Sequence, residues 1–248
     1  MAKVLGRDSA YLLKDKEIAT DFKTITASTK ITEANVTTFG QTAERFLPSF
    51  GDGEHTLDGL FEAGAGSSHE VMQDLLDDTA AAVASFCPRG ITEGYRACLL
   101  EASVNQYSVA SNLADAVLAK ATLKGAGGCK WGQILRVATI TATDADPTGY
   151  DNPSDAATTK GAAFHLHVTT NTRDAGSVIV KIQDSADNAS WADVTGMAFT
   201  SVAAAATTSE RITYAKDSSL RRYVRAFATV TAGATGSYVI RVTYQRNM

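Results

Sequence analysis

The feature that most restricts the fold is a two-residue alternation of apolar and polar side chains in short runs near the C-terminus. Clear runs are FHLHV at 164–168, VIVKIQ at 178–183 and YVIRVTY at 238–244, with a related run at 222–227. Successive side chains of a β-strand point to opposite faces of its sheet, so this period predicts half-buried strands. Clusters of Gly, Asn, Asp and Ser separate the runs, as turns do. Short strands at this spacing predict an immunoglobulin-like β-sandwich over 161–248.

An acidic stretch marks a boundary before this predicted sandwich. Residues 143–155 contain four Asp, two of the chain's four prolines and no basic residue. Such a composition cannot bury a core and is typical of a solvated linker. The sequence therefore predicts three parts: a domain over 1–142, an acidic Pro/Gly linker over 143–160, and an external β-sandwich domain over 161–248.

The N-terminal part predicts a mixed pattern with one helix. Ser67 and Glu70 have the spacing of a capping box, and Val71, Leu75 and Val83 belong to an apolar stripe, which predicts a helix over 67–83. Strands are predicted at 31–40, 55–62, 95–107 and 131–141, and an irregular loop at 41–54. The predicted fold class is therefore mainly β.

Residues 111–124 fit two secondary structures. Their Ala and Leu content, with Ser111 as N-cap and Gly125 as C-cap, favours a helix. Val117, Ala119 and Ala121 also alternate with larger or polar neighbours, which favours a strand. Local propensity alone does not choose between them.

The charge distribution restricts the possible partners. The net charge is −4, and 1–142 carries all of it, with 13 basic and 17 acidic residues against ten of each in 143–248. A protein that clamps nucleic acid needs a basic excess to neutralise phosphates, so that class is excluded. No apolar run approaches the ~20 residues that span a bilayer, and 1–19 lacks the features of a signal peptide. We therefore expect no membrane partner and assembly in a cytoplasm.

No constellation with catalytic spacing occurs, so we expect neither enzymatic activity nor a cofactor. The three cysteines are widely spaced and lack a CxxC pair. His165 and His167 can be read as an exposed strand face or as two ligands of a metal site, and no third ligand is close in sequence. Residues 184–188 can be read as an Asx-type turn or as half of a calcium loop. The exposed-face and turn readings leave no metal site.

One stretch carries a resemblance to a known family. It runs from TTFG at 37–40, through AERFLP at 43–48, to GEHTLDGLF at 53–61. This pattern resembles the major tail (tail tube) proteins of long-tailed phages, and AYLL at 10–13 and the predicted helix fit the same family. The segment 161–248 resembles β-sandwich domains that are appended to phage structural proteins.

The resemblance implies a structural virion protein. It implies a tube domain built as a β-sandwich or barrel, flanked by one α-helix, with long β-hairpins that form the wall of a lumen. It implies rings of six subunits that stack into a tail tube, through which genomic DNA passes. It also implies contacts with the tape measure protein and other tail proteins. One lumen hairpin would use 93–107 and 111–124, which overrides the helix reading.

These implications single out residues. The expected contacts between subunits or rings are in the 41–54 loop: Gln41, Arg45, Phe46, Leu47, Phe50, Asp52 and Glu54. The expected lumen residues are Glu101, Ser103, Asn105, Asp115 and Lys120. An alternative function is a phage surface decoration or adhesin whose sandwich binds host glycan, with Trp191, Tyr223 and Arg225 as the expected surface.

Overall fold

Strands carry most of the chain. The computed structural model describes residues 6–39, 42–78, 80–126, 128–151, 157–231 and 235–247. Within these ranges it contains one α-helix, two three-residue 3₁₀-helices and sixteen strands, which confirms the predicted fold class. The elements are β1 Ala10–Leu13, β2 Lys16–Glu17, β3 Phe22–Asn35, β4 Phe46–Leu60, α1 Ser68–Asp77, β5 Ala82–Cys87, β6 Arg96–Ala110, β7 Leu118–Ala126, β8 Lys130–Ile140, β9 Tyr150–Asp151, β10 Ala162–Asn171, β11 Ser177–Ser185, β12 Ala192–Ala198, β13 Val202–Ala203, β14 Thr208–Tyr214, β15 Tyr223–Val230 and β16 Tyr238–Arg246. No helix in the described chain is long and apolar enough to cross a bilayer.

Two compact units share the chain. Unit 1 comprises Met1–Ala19, Val83–Leu99 and Trp131–Met248, and unit 2 comprises Thr20–Ala82 and Leu100–Lys130. This division crosses the predicted boundary after residue 142, because β8 pairs with β16 from Ile140↔Tyr238 to Gln133↔Tyr244. Autonomous folding of segment 161–248 is a separate question and stays a prediction.

Unit 1 contains a sandwich of two antiparallel sheets. One sheet has the order β14-β10-β16-β8, and it continues through the first residues of β6 to β5, β1 and β2. The other has the order β12-β11-β15-β9. Their shared core includes Phe164, Val180, Ile182 and Ile240, and the Phe164 and Tyr244 rings stack with centroids 5.0 Å apart. Each such side chain contributes about 1.5–3 kcal/mol by leaving water. The strands predicted at 164–168, 178–183, 222–227 and 238–244 are confirmed, within longer elements.

The acidic segment is less solvated than its composition predicts. Asp144 accepts a hydrogen bond of 2.9 Å from Arg136, and their side chains are only 10% and 15% exposed. Asp144 also accepts from the backbone N–H of Ala228. Asp151 accepts from Arg222 at two oxygens, 2.7 and 2.9 Å away, and this pairing lowers the pKa of the Asp151 carboxyl. Residues 143–151 are therefore tied to the sandwich by their acids.

Unit 2 is built on a four-stranded sheet of order β3-β4-β7-β6, in which β6 contributes its residues from Leu100 onward. The ladder is antiparallel throughout and long: β3 pairs with β4 from Phe22↔Gly59 to Asn35↔Phe46. The strand reading of 111–124 is confirmed from Leu118 onward, because β7 pairs with β6. Helix α1 ends at Asp77, six residues earlier than predicted, and 82–87 forms the fully buried strand β5 instead.

A buried polar cluster corrects the prediction that His165 and His167 form an exposed strand face. Both side chains are buried, at 1% and 0% exposure. Ser85 on β5 places its Oγ 2.9 Å from His167 Nε2, 3.3 Å from His165 Nδ1 and 3.0 Å from Thr243 Oγ1. His167 Nδ1 lies 2.6 Å from the carbonyl oxygen of Lys14. No metal-ligand group of three in the described residues includes either histidine. The sequence missed β5, the strand that covers this face.

The hydrogen bonds fix the tautomer of the neutral His167 ring. A carbonyl oxygen only accepts, so Nδ1 of His167 donates to Lys14, and in the neutral ring Nε2 accepts the hydroxyl proton of Ser85. Burial lowers the pKa of His167 from 6.5 to about 4, although the Lys14 carbonyl opposes that shift. The native state therefore holds this imidazole neutral.

We expect the free energy of unfolding to fall as the pH drops from about 6.5 to about 4. In that window the imidazole of residue 167 is protonated in the unfolded chain and neutral in the native state. The resulting loss in the free energy of unfolding is about 3 kcal/mol. The substitution His167→Gln should flatten the pH dependence measured by urea unfolding, compared with the wild-type chain. An unchanged slope in H167Q contradicts the assignment.

Candidate assembly surface

Unit 2 presents one polar sheet face. Alternate residues of four strands form cross-strand rows: Ser28, Glu54, Lys124 and Ser103 in one, Thr26, Thr56, Thr122 and Gln106 in the next, and Thr24, Asp58, Lys120 and Ser108 in the third. Residues opposite each other in an antiparallel ladder share a face, so these side chains lie together. All are exposed or half-buried. We call this set the polar face.

The opposite side of the same strands is apolar and buried. It carries His55 and Leu57 on β4, Ala121 and Leu123 on β7, and Ala102 on β6, each at most 1% exposed. We call this side the His55 face. Because the His55 face is committed to packing, the polar face is the side of this sheet that remains available to solvent.

Charges on the polar face are mixed, although unit 2 as a whole is acidic. Unit 2 holds 13 acidic and six basic residues, a net charge of −7. On the polar face, however, acids stand beside bases, as where Lys124 Nζ lies 3.6 Å from a Glu54 oxygen. Helix α1 carries Glu70, Asp74 and Asp77 on its exposed side and no base. The polar face therefore offers hydrogen-bonding groups without a strong field of one sign.

Two open edges flank this sheet within unit 2. Among the described residues, β3 pairs only with β4, so its outer edge presents unpaired backbone groups along 14 residues. On the other side β6 is the last strand, and from Asn105 to Ala110 its side chains are exposed except Tyr107, which is half-buried. Long open edges readily pair with strands of another chain.

The β3–β4 hairpin extends beyond the sheet as an arm. The ladder between β4 and β7 begins at Asp52↔Ala126, whereas β4 pairs with β3 for six further residues, 46–51. This two-stranded extension is about 20 Å long at 3.3 Å per residue. It exposes large apolar side chains: Ile31 at 56%, Phe46 at 49% and Leu47 at 57%. We call 31–35 and 46–51 the arm.

The expected intersubunit residues lie on different parts of the β3–β4 hairpin. The prediction of an irregular loop over 41–54 is wrong from Phe46 onward, because that part is strand paired with β3. Phe46 and Leu47 are exposed on the arm, while Asp52 and Glu54 lie in the body of β4. Arg45 is exposed and directly precedes β4. Gln41 lies outside the described residues, and for Phe50 only the backbone, which belongs to β4, is described.

Two of the five expected lumen residues, Ser103 and Lys120, belong to the polar face. Glu101 and Asn105 are exposed elsewhere on β6, and Asp115 lies in the turn between β6 and β7, where it accepts a bond from Ala116 N–H. Strands β3 and β4 contribute half of the polar face, which the sequence did not predict. The alternation in TITAS at 24–28 was the available signal.

The residues of the expected glycan surface make contacts within unit 1. Arg225 is only 6% exposed, and its guanidinium lies 4.2 Å from the centre of the Trp191 ring. It also donates to Gln183 and to the carbonyl of Pro147. Arg222 lies 5.1 Å from the Tyr223 ring centre. Trp191 and Tyr223 are half-buried, and glycan binding at these residues stays a prediction.

The turn reading of 184–188 is confirmed. The Asp187 carboxylate accepts from the backbone N–H of Ala189 at 2.9 Å and of Ser190 at 2.7 Å, and from the Ser185 hydroxyl. These donors, the Ser190 amide first, hold the pKa of Asp187 well below its usual range. Its oxygens are engaged by the turn, as in an Asx-type motif.

Comparisons with known proteins give only weak likenesses. No family model matches the chain, and no curated protein matches it. Among solved structures, a chain from the virion of a native gene transfer agent particle is 12% identical, with a TM-score of 0.42, covering 52% of this chain and 98% of that one. The SPP1 Dit protein, described as a hub adsorption apparatus, is 11% identical with a TM-score of 0.35, covering 97% and 99%. A chain of the phage p2 baseplate is 10% identical with a TM-score of 0.36, covering 97% and 98%. At these scores the function must be argued from the chain's own geometry.

We expect Gly53→Ala to destabilise the base of the arm. A Cβ at Gly53 would lie 2.6 Å from the backbone N of Cys129 and 2.7 Å from a methyl carbon of Leu100. To make room for it, β4 must move away from the turn between β7 and β8. Overpacking of this kind costs about 1–3 kcal/mol. The control Gly64→Ala has no contact closer than 3.4 Å. Thermal unfolding should show a lower midpoint for G53A alone, and equal midpoints argue against this packing.

Proposed function

We propose that the chain is a structural subunit of a phage tail that closes laterally into rings, which stack into a tube for DNA passage. The observation that carries the proposal is the pair of open edges of unit 2, on β3 and β6. In this proposal the chain's task is assembly, and it performs no catalytic step. The residue-level resemblance to tail tube proteins supports the same role.

Strand direction makes the two edges complementary. The order β3-β4-β7-β6 is antiparallel at each step, so β3 and β6 of one copy run in opposite directions. If the next copy is added by rotation about an axis along the strands, its β3 meets β6 of the first copy in the antiparallel sense. A contact between different surfaces closes into a ring when the rotation divides a full turn. Closure removes the open edges, as in any β-barrel.

The face that such a ring presents to its lumen follows from burial. Because the His55 face is already packed, the polar face lines the channel. Six copies, the number that the resemblance implies, would supply about 24 strands, which is wide enough for an aqueous pore. Hydroxyls and paired charges line this wall, so DNA phosphates meet no strong basic patch to bind. The same lumen would hold the tape measure protein before DNA passes.

The first test is the state of assembly of the purified chain. Light scattering and negative-stain electron microscopy of concentrated protein should show rings with a central hole, and stacks of rings at higher concentration. A chain that stays monomeric at every concentration, and with its tail-assembly partners present, contradicts the proposal.

Two neighbouring prolines on β3 give a sharper test of the edge. Adjacent amides of a strand point to opposite sides, so of Thr26→Pro and Ala27→Pro one removes an N–H directed at β4 and the other removes an N–H directed outward. The outward proline should leave the monomer folded by circular dichroism and abolish rings. The inward proline should lower the unfolding midpoint, because it removes a ladder bond worth about 1 kcal/mol and leaves its acceptor unpaired. Rings from both folded variants would show that β3 is not an assembly edge.

A further inference from the structure

We infer that the arm of one copy docks on an apolar patch at the opposite end of the same sheet in a copy of the adjacent ring. The inference rests on the proposed ring and specifies the contact between rings. We call the receiving surface the rim patch; it consists of Phe61, His69, Tyr107, Val109 and Leu113.

The arm lacks the cover that its strands have elsewhere. Ile31 follows Ile25 and Ala27 at two-residue spacing, so it lies on the His55 face, and Phe46 joins that side through its pairing with Asn35. This face is buried on β4 and β7, and Ile25 and Ala27 of β3 are half-buried, yet on the arm Ile31 and Phe46 are about half exposed. A two-stranded ribbon with apolar side chains in water is marginally stable by itself. A partner surface that covers these side chains would stabilise it.

The rim patch is the apolar surface at the other end of the strands. Tyr107 pairs with Ala121 and Val109 with Ala119, so both side chains lie on the His55 face near the end of β6. Leu113, in the turn between β6 and β7, is fully exposed, and Val109 is 45% exposed.

An aromatic group supports the rim patch from α1. His69 Nδ1 lies 2.9 Å from the Tyr107 hydroxyl, and the Phe61 ring packs against the His69 ring with centroids 4.7 Å apart. All three side chains are half-buried. These contacts hold the patch in one shape before any partner arrives, which reduces the entropy lost on docking.

Strand polarity identifies the arm of a second copy as the occupant. In a ring closed by β3 and β6, the arms form one rim and the turns between β6 and β7 form the other. Identical rings that stack in one direction therefore bring an arm rim onto a turn rim, and the contact repeats without limit. An arm-to-arm contact would turn alternate rings over and leave every rim patch uncovered.

Charge agrees with this pairing. Segments 61–78 and 105–117, which contain and border the rim patch, hold acids but no Lys or Arg. The arm has Arg45 directly before Phe46, and residues 30–47 are neutral overall, with two bases and two acids. Stacked arm to rim, Arg45 approaches the acidic border, whereas two rim patches face to face repel each other.

The test uses two single variants whose stacking defects are complementary. Phe46→Glu damages every arm and Leu113→Glu damages every rim patch; both positions are exposed, so the monomers should fold as wild type. Each variant alone should form rings that do not stack. When preformed rings of the two are mixed, one intact arm rim meets one intact rim patch, and stacks of two rings should form and grow no further. Electron microscopy counts the rings in each stack.

Leu76→Glu is the matched control, because Leu76 is 43% exposed on α1 outside both surfaces, and it should stack as wild type does. Long tubes from either single variant, or a mixture without two-ring stacks, overturn the arm-to-rim contact. Loss of rings in F46E assigns the arm to lateral closure and also overturns it. A wild-type chain that forms no rings overturns the proposed function itself, so the two failures are distinguishable.

Discussion

The alternation of side chains along the β3–β4–β7 ladder is the constraint on which the structure of unit 2 depends. Once the register Thr26↔Thr56↔Thr122 is set, every second residue is directed to the His55 face and the rest to the polar face. A slip of one residue would expose Leu57 and Leu123 and bury Glu54 and Lys124. The cost of that exchange fixes the register, and the register fixes which side chains are available for assembly.

The same sheet has backbone groups and apolar side chains that other copies of the chain can pair with or cover. Backbone groups on the outer edge of β3 have no partner within the described part of the chain, and the arm exposes Ile31, Phe46 and Leu47. A soluble monomer normally blunts such edges with charges, bulges or proline. In β3 the charges and register shifts lie toward the two ends, and the middle, 24–29, consists of Thr, Ile, Ala and Ser, which suits an edge that pairs with another strand. The open edge and the arm act in different directions, so one sheet can serve both ring closure and stacking.

Unit 1 shows the opposite solution, in which polar groups are satisfied internally. Ser85, His165, His167 and Thr243 are buried and bonded to one another, and Lys14 supplies a carbonyl. Their mutual bonds offset the cost of removing them from water. This cluster explains why HLH at 165–167 could not be interpreted from sequence. Histidines that face solvent and histidines that are buried against polar groups give the same alternation of apolar and polar residues. The solvated character predicted for the acidic segment differs from the structure for a related reason. Asp144 and Asp151 form ion pairs with Arg136 and Arg222, which are brought next to them only in the folded sandwich.

The sequence by itself determined the local features that depend on side-chain period and turn chemistry. These are the mainly β class, the strands of the sandwich, the start of α1 and the Asp187 turn. Only the tertiary structure decided how each strand is covered and paired. It decided that Ser85 on β5 bonds the buried histidines and that β8 joins the sandwich through β16. It also decided that 118–126 is a strand despite its helical composition and that β4 starts at Phe46 rather than at 55. The physical reason is that period and propensity act between near neighbours, whereas burial and strand pairing are decided by partners far away along the chain, such as Ser85 and Thr243, which are 158 residues apart.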